Sequence, residues 1–167
     1  MKNIVLIGMP GAGKSTIGVI LAKVLGYQFI DTDLIIQEKE KRLLREIIAQ
    51  EGIEEFLNIE GRVNCELEVT KAVIATGGSV VYSADAMAHL AQIGTIVYLQ
   101  LSYEALENRL GNLIGRGVVL KEDQTLKELY DERTELYRKY AQITIEEEGL
   151  NVEETMQKIV EIYKELM

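Results

Sequence analysis

The sequence predicts an α/β fold in which a mostly parallel sheet carries helices on both faces, and two observations lead there. Short apolar, β-branched runs alternate with stretches whose apolar residues recur at helical spacing, the pattern of right-handed βαβ units. The first strand-like run and the first helix-like run are joined by GMPGAGKST, residues 8–16, a glycine-rich turn.

Taken in order, NIVLI (residues 3–7) is the first strand and ends at a glycine. STIGVILAKVLG (15–26) sets Ile17, Ile20, Leu21, Val24 and Leu25 at helical spacing, and Gly26 closes that helix. YQFIDTD (27–33) reads as a buried strand ending in two acids, and LIIQEKEKRLLREIIAQEG as a helix. VIATGGS repeats the pattern of a strand running into glycines. GTIVYLQL (94–101) is a further strand, followed by the helix SYEALENRLGN, the loop LIGRGVVLKED and a long charged helix to about Ala141. QITIEE supplies the last strand and NVEETMQKIVEIYKEL the last helix, whose Val152, Met156, Ile159, Val160 and Tyr163 are expected to pack on the sheet. Glu146 to Glu148 read as a solvated turn between them.

The 167 residues contain one proline and no Ser/Gly tract, so a single domain over 1–167 is expected. A net charge of −9 argues against a nucleic-acid partner, because a protein that displaces counterions from a phosphate backbone carries a basic face. One cysteine, Cys65, cannot form an internal disulfide, and the N-terminus runs at once into a strand rather than a charged leader; both features point to a cytoplasmic protein. No apolar stretch approaches the roughly 18 residues that a membrane span requires. A monomer is the default expectation for such a domain.

G-x-x-x-x-G-K-[ST] is met by Gly8, Gly13, Lys14 and Ser15, between a strand and a helix, the context that identifies a phosphate-binding P-loop. Backbone N–H groups of Gly11, Ala12, Gly13, Lys14, Ser15 and Thr16 can turn inward around phosphate oxygens, Lys14 reaches the β/γ-phosphates, and the Ser15 hydroxyl binds Mg²⁺. An ordinary glycine-rich turn is the plainer alternative. The base-reading N-K-x-D motif of GTPases is missing, which favours an ATP-using kinase.

Asp31 and Asp33 flank Thr32 at the carboxyl edge of the sheet, where open α/β folds bind ligands. Two residues apart on an extended segment, they would point the same way, one holding Mg²⁺ through water and the other accepting a proton from a substrate hydroxyl. Alone, DTD is a weak motif, since an aspartate at this boundary is often only a helix cap.

GMPGAGKST, FIDTD, F-x-x-x-E from Phe56 to Glu60, ATGG from Ala75 to Gly78, Arg109, Arg116 and RTELYRKYA from Arg133 follow one another in an order that resembles the shikimate kinases. The resemblance implies a nucleoside-monophosphate-kinase-like P-loop fold, a three-layer α/β/α sandwich with a five-stranded parallel sheet ordered 2-3-1-4-5, substrate-binding helices over about 33–71 and a lid over about 111–124. It implies transfer of the ATP γ-phosphoryl group to the 3-hydroxyl of shikimate, with ATP and Mg²⁺ as cofactors. Lys14 and Ser15 would serve phosphate and metal, Asp31 the metal shell, and Asp33 the accepting hydroxyl. Gly77 and Gly78 would line the substrate pocket, Arg133 would grip the substrate carboxylate, Arg109 would lie near the nucleotide, and Arg116 would close over it as the lid arginine. For Arg133 the plainer alternative is an exposed helix arginine paired with Glu132 or Glu135, and for Arg116 a solvated loop residue.

The chain departs from the family pattern where that pattern reads F-R-x-x-E, with Leu57 in the place of a second carboxylate-clamping arginine. Ser79 stands where a third glycine is usual and adds a side chain near the pocket floor, and Gly117 follows the lid arginine where a proline is common. Losing one charge-assisted contact costs roughly 1.5–3 kcal/mol. Arg62 lies about 140° around a helix from Leu57, and Arg42 or Arg45 would have to reach across from a neighbouring helix. A related hydroxylated acceptor, or a degenerate nucleotide-binding role, therefore stands beside shikimate phosphorylation. His89 and Cys65 receive no role.

Overall fold

The computed structural model describes residues 2–110 and 123–166. Five strands, β1 (Asn3–Ile7), β2 (Gln28–Asp31), β3 (Ala72–Ala75), β4 (Gly94–Gln100) and β5 (Ile143–Glu146), form one sheet in the order β2-β3-β1-β4-β5. Every neighbouring pair is parallel. The helices are α1 (Lys14–Leu25), α2 (Thr32–Glu40), α3 (Leu44–Cys65), α4 (Ala84–Ile93), α5 (Tyr103–Leu110), α6 (Leu126–Tyr140) and α7 (Val152–Leu166). The expected lid and Arg116 fall in 111–122, outside the described residues. Among the described residues no helix is long and apolar enough to cross a membrane.

Alternation along the strands separates two cores. Val5 and Ile7 of β1 face one way with Ile74, Ile96 and Tyr98, packing against Met87, Leu90, Leu129 and Tyr137 of α4 and α6. Ile4 and Leu6 face the other way with Val73, Val97, Leu99 and Ile145, packing against Ile17 and Leu21 of α1 and Ile159 and Tyr163 of α7. Strands buried on both faces need continuous apolar runs, which is what NIVLI and GTIVYLQL supply. A third cluster of Ile36, Ile47, Phe56, Ile59 and Val63 lies between α2 and α3 and supports the helices beside the cleft.

Several boundaries differ from the sequence expectation. The single helix expected after β2 is two, because Lys41 closes α2 in a left-handed conformation (φ 55°) and α3 starts at Leu44. α3 is itself interrupted at Gly52 (φ 87°, ψ 169°). Met156, Ile159 and Tyr163 pack on the sheet as expected, but Val152 begins the helix and stays 38 % exposed. ADAMAHLAQI, to which the sequence reading gave no element, is α4, capped by the Ser83 hydroxyl accepting from Ala86 N–H at 3.2 Å.

Asn3 fastens the amino edge of the sheet. Its Nδ2 donates to the Val69 carbonyl (2.8 Å) and the Ile93 carbonyl (3.0 Å), and its Oδ1 accepts from Ala72 N–H (2.9 Å). One buried amide thus satisfies backbone groups at the starts of both strands that flank β1. Asn3→Ala strands three buried polar groups, each costing about 1–3 kcal/mol. Chemical denaturation is expected to register a loss of about 3 kcal/mol or more, with nucleotide affinity unchanged while the protein remains folded.

Candidate active site

The P-loop leaves β1 through Gly8, where a Cβ would stand 2.8 Å from the Leu99 carbonyl oxygen of β4, so only glycine passes. Gly11 (φ 87°) and Gly13 (φ 86°) are left-handed, and they curl the loop around to the N-terminus of α1. That terminus presents free backbone N–H groups and positive partial charge to the cleft. Lys14 is nearly buried, and its Nζ donates to the carbonyls of Gly8 (2.6 Å) and Met9 (2.9 Å). Burial pulls its pKa down to about 8, a fall that Asp33 opposes and Arg133 reinforces.

Asp31 and Asp33 do not lie side by side on a strand. β2 ends at Asp31, which caps α2, its Oδ1 accepting from Asp33 N–H at 3.0 Å, so Asp33 stands in the first helical turn. The capping alternative and the site reading hold together, because the other oxygen of Asp31 accepts from Ser15 Oγ at 3.2 Å. A hydroxyl and a carboxylate oxygen side by side suit a hard cation that keeps most of its water, as Mg²⁺ does. Among the described residues no cluster of three or more His, Cys, Asp or Glu offers a full protein cage for a metal. Burial first, and Asp31 second, push the Asp33 pKa up to about 6 against the pull of Lys14.

These groups open on a cleft of about 500 Å³ that brings together Gly11, Gly13, Lys14, Ser15, Thr16, Asp31, Asp33, Gly77, Gly78, Ser79 and Arg133. Ala12 is buried behind the loop, and Arg109 stands outside the lining while its Nη1 donates to the Gly11 carbonyl at 2.9 Å. The floor is the segment after β3. A Cβ on Gly77 would meet Glu60 Oε2 at 2.5 Å and Asp33 Oδ1 at 2.8 Å, and one on Gly78 would meet Arg133 Nη1 and Pro10 Cδ, both at 2.8 Å.

Arg133 is 1 % exposed, which rules out the surface alternative. Its guanidinium lies 5.6 Å from the Tyr82 ring centre, and neighbouring Tyr137 donates to the Gly78 carbonyl at 2.6 Å, so an aromatic wall supports both the cation and the floor. None of Arg42, Arg45 or Arg62 lines this cleft. Arg42 is held by Glu40 (3.0 Å) and Glu51 (3.1 Å), Arg62 lies 3.9 Å from Glu40, and Arg45 is exposed. Leu57 lines a second groove, between α3 and the segment from Tyr82 to Asp85, together with Arg62, Cys65 and Tyr82.

The sequence reading gave no separate role to the Glu60 side chain, to Tyr82 or to Tyr137. Glu60 also lines the cleft; it is 2 % exposed, and its Oε1 accepts from Ser79 Oγ at 2.5 Å. Glu60 is signalled only by its place in F-x-x-x-E and Tyr137 only by its place in RTELYRKYA; nothing local signals Tyr82. Glu147 corrects the solvated-turn expectation, since it is 6 % exposed, and burial pushes its pKa up to about 7 against Arg109 and Lys14. The His89 ring donates from Nε2 to the Leu67 carbonyl at 2.7 Å, a structural tie.

Residues 10–164 match the sequence model of the shikimate kinase family. The chain is 37 % identical to the shikimate kinase of Thermodesulfovibrio yellowstonii, over 99 % of this chain and 97 % of that one. It is 41 % identical to the shikimate kinase of Rippkaea orientalis, over 86 % of this chain and 77 % of that one. Among solved structures, the shikimate kinase from Acinetobacter baumannii in complex with shikimate superposes with a TM-score of 0.90 at 34 % identity, over 99 % of this chain and 94 % of that one. The chain belongs to the shikimate kinase family.

Proposed function

We propose that the protein is an ATP-dependent shikimate kinase that transfers the γ-phosphoryl group to the 3-hydroxyl of shikimate. The observation that carries this reading is the convergence of Lys14, Asp33 and Arg133 on one cleft around the Gly77–Gly78 floor. Phosphoryl transfer needs positioning and electrostatic stabilisation more than covalent chemistry, and these residues supply both.

The loop amides from Gly11 to Thr16 and the N-terminus of α1 hold the triphosphate. Lys14 exchanges its carbonyl partners for phosphate oxygens, and with a pKa near 8 it remains mostly protonated at neutral pH. Ser15 and Asp31 would hold Mg²⁺, which would offset the charge of the phosphates. Asp33, with a pKa near 6, is mostly ionised at neutral pH and accepts the proton of the attacking hydroxyl. Arg133 pairs with the acceptor carboxylate; its burial removes competing water and fixes the direction of the guanidinium. Arg109 steadies the loop through the Gly11 carbonyl.

ADP release with Mg²⁺-ATP tests the reading directly: turnover saturates with shikimate, and a rate that never rises above the acceptor-free background at high millimolar shikimate overturns it. In the same assay Asp33→Asn is expected to lower kcat about 10²- to 10⁴-fold at nearly constant ATP KM, the range typical of losing a positioned base. Arg133→Lys, which keeps the charge but loses the planar fork, raises the shikimate KM about ten-fold or more and leaves the ATP KM within a factor of about two. Equal losses toward both substrates would remove Arg133 from the acceptor side.

A further inference from the structure

Ser79 is the residue that most needs explaining on the cleft floor. It lines the cleft at 5 % exposure, and its hydroxyl is engaged 19 residues back in the chain, on Glu60 Oε1 at 2.5 Å. The second carboxylate oxygen of Glu60 closes on the position a Gly77 Cβ would take. The Glu60 carboxylate, which itself lines the cleft, is therefore wedged between the Ser79 hydroxyl and the Gly77 backbone. Ser79 also opens the 3₁₀ turn Val80–Tyr82, its carbonyl accepting from Tyr82 N–H at 3.1 Å, and Tyr82 is the ring that faces Arg133.

We infer that Ser79 is a positioning residue for the acceptor: its hydroxyl locks Glu60 beneath Gly77, and that lock fixes the spacing between Asp33 on one side of the floor and Arg133 on the other. This rests on the acceptor reading of the cleft given above.

The charged groups facing Glu60 are Asp33 of α2, Arg133 of α6 and Lys14 of α1. Burial holds the Glu60 pKa up at about 7; Asp33 pushes it further, while the Ser79 hydroxyl, Arg133 and Lys14 favour the ionised form. Removing the hydroxyl therefore raises the pKa, leaving Glu60 protonated over more of the neutral range and freer to leave Gly77.

Ser79→Ala and Ser79→Thr decide the matter, the second keeping a hydroxyl. In Ser79→Ala the acceptor KM is expected to rise about ten-fold with kcat and ATP KM little changed, and its acid-side rise to begin at higher pH; Ser79→Thr restores both. Carbon-13 NMR of the Glu60 carboxyl, titrated without substrates, is expected to move upward in Ser79→Ala and return in Ser79→Thr. An unmoved Glu60 titration overturns the proposal, as does an unmoved acceptor KM or a KM change matched by the same loss toward ATP. If the unmodified chain turns over no shikimate, the acceptor reading fails, and the Glu60 titration still decides whether Ser79 locks the carboxylate.

Discussion

The segment after β3 leaves no room for a Cβ, because Glu60 and Asp33 close on Gly77 while Arg133 and Pro10 close on Gly78. Two carboxylates therefore stand on one side of a strip of backbone and a guanidinium on the other, separated by little more than main chain. Side chains from α2, α3 and α6 can meet there only if the floor is bare, and the P-loop can approach only through its proline. The positions of Asp33 and Arg133, and the shape of any acceptor held between them, follow from that constraint.

Crowding charged groups away from water has an electrostatic consequence. Desolvation raises Asp33 and Glu60 and lowers Lys14, so all three titrate nearer neutrality than they would in water. Their mutual attraction limits the shifts without cancelling them. Lys14 and Asp33 thus keep their charges at neutral pH with smaller margins than exposed groups have, which suits a cation that must exchange partners and a base that must accept a proton.

How much of this the sequence discloses depends on how local each determinant is. The P-loop is contiguous, and its glycines, lysine and serine are read directly; the alternation of buried strands with amphipathic helices likewise gives the layers. Asp31 and Asp33 are legible as a site but not in their geometry, since strand and cap readings of one DTD differ by only two residues at the end of β2. Arg133 sits in LKELYDERTELYRKY, a segment so charged that nothing local marks one arginine as buried. Glu147 was masked by its glutamate neighbours in the same way. The joints made by Asn3 and by Ser79 with Glu60 are long-range hydrogen bonds, which no period or motif encodes.

Position 57 shows how packing limits recognition. The neighbouring Phe56, Ile59 and Val63 fill the cluster between α2 and α3, and Leu57 adds to its margin while lining the second groove. Nearby arginines are tied to acids: Arg42 by Glu40 and Glu51, and Arg62 near Glu40. Drawing either into the cleft would abandon those contacts and place a third cation beside Lys14 and Arg133. The described cleft therefore has one guanidinium for an anionic acceptor, and discrimination among hydroxylated acids falls on the shape of the floor, against which Glu60 and Asp33 close.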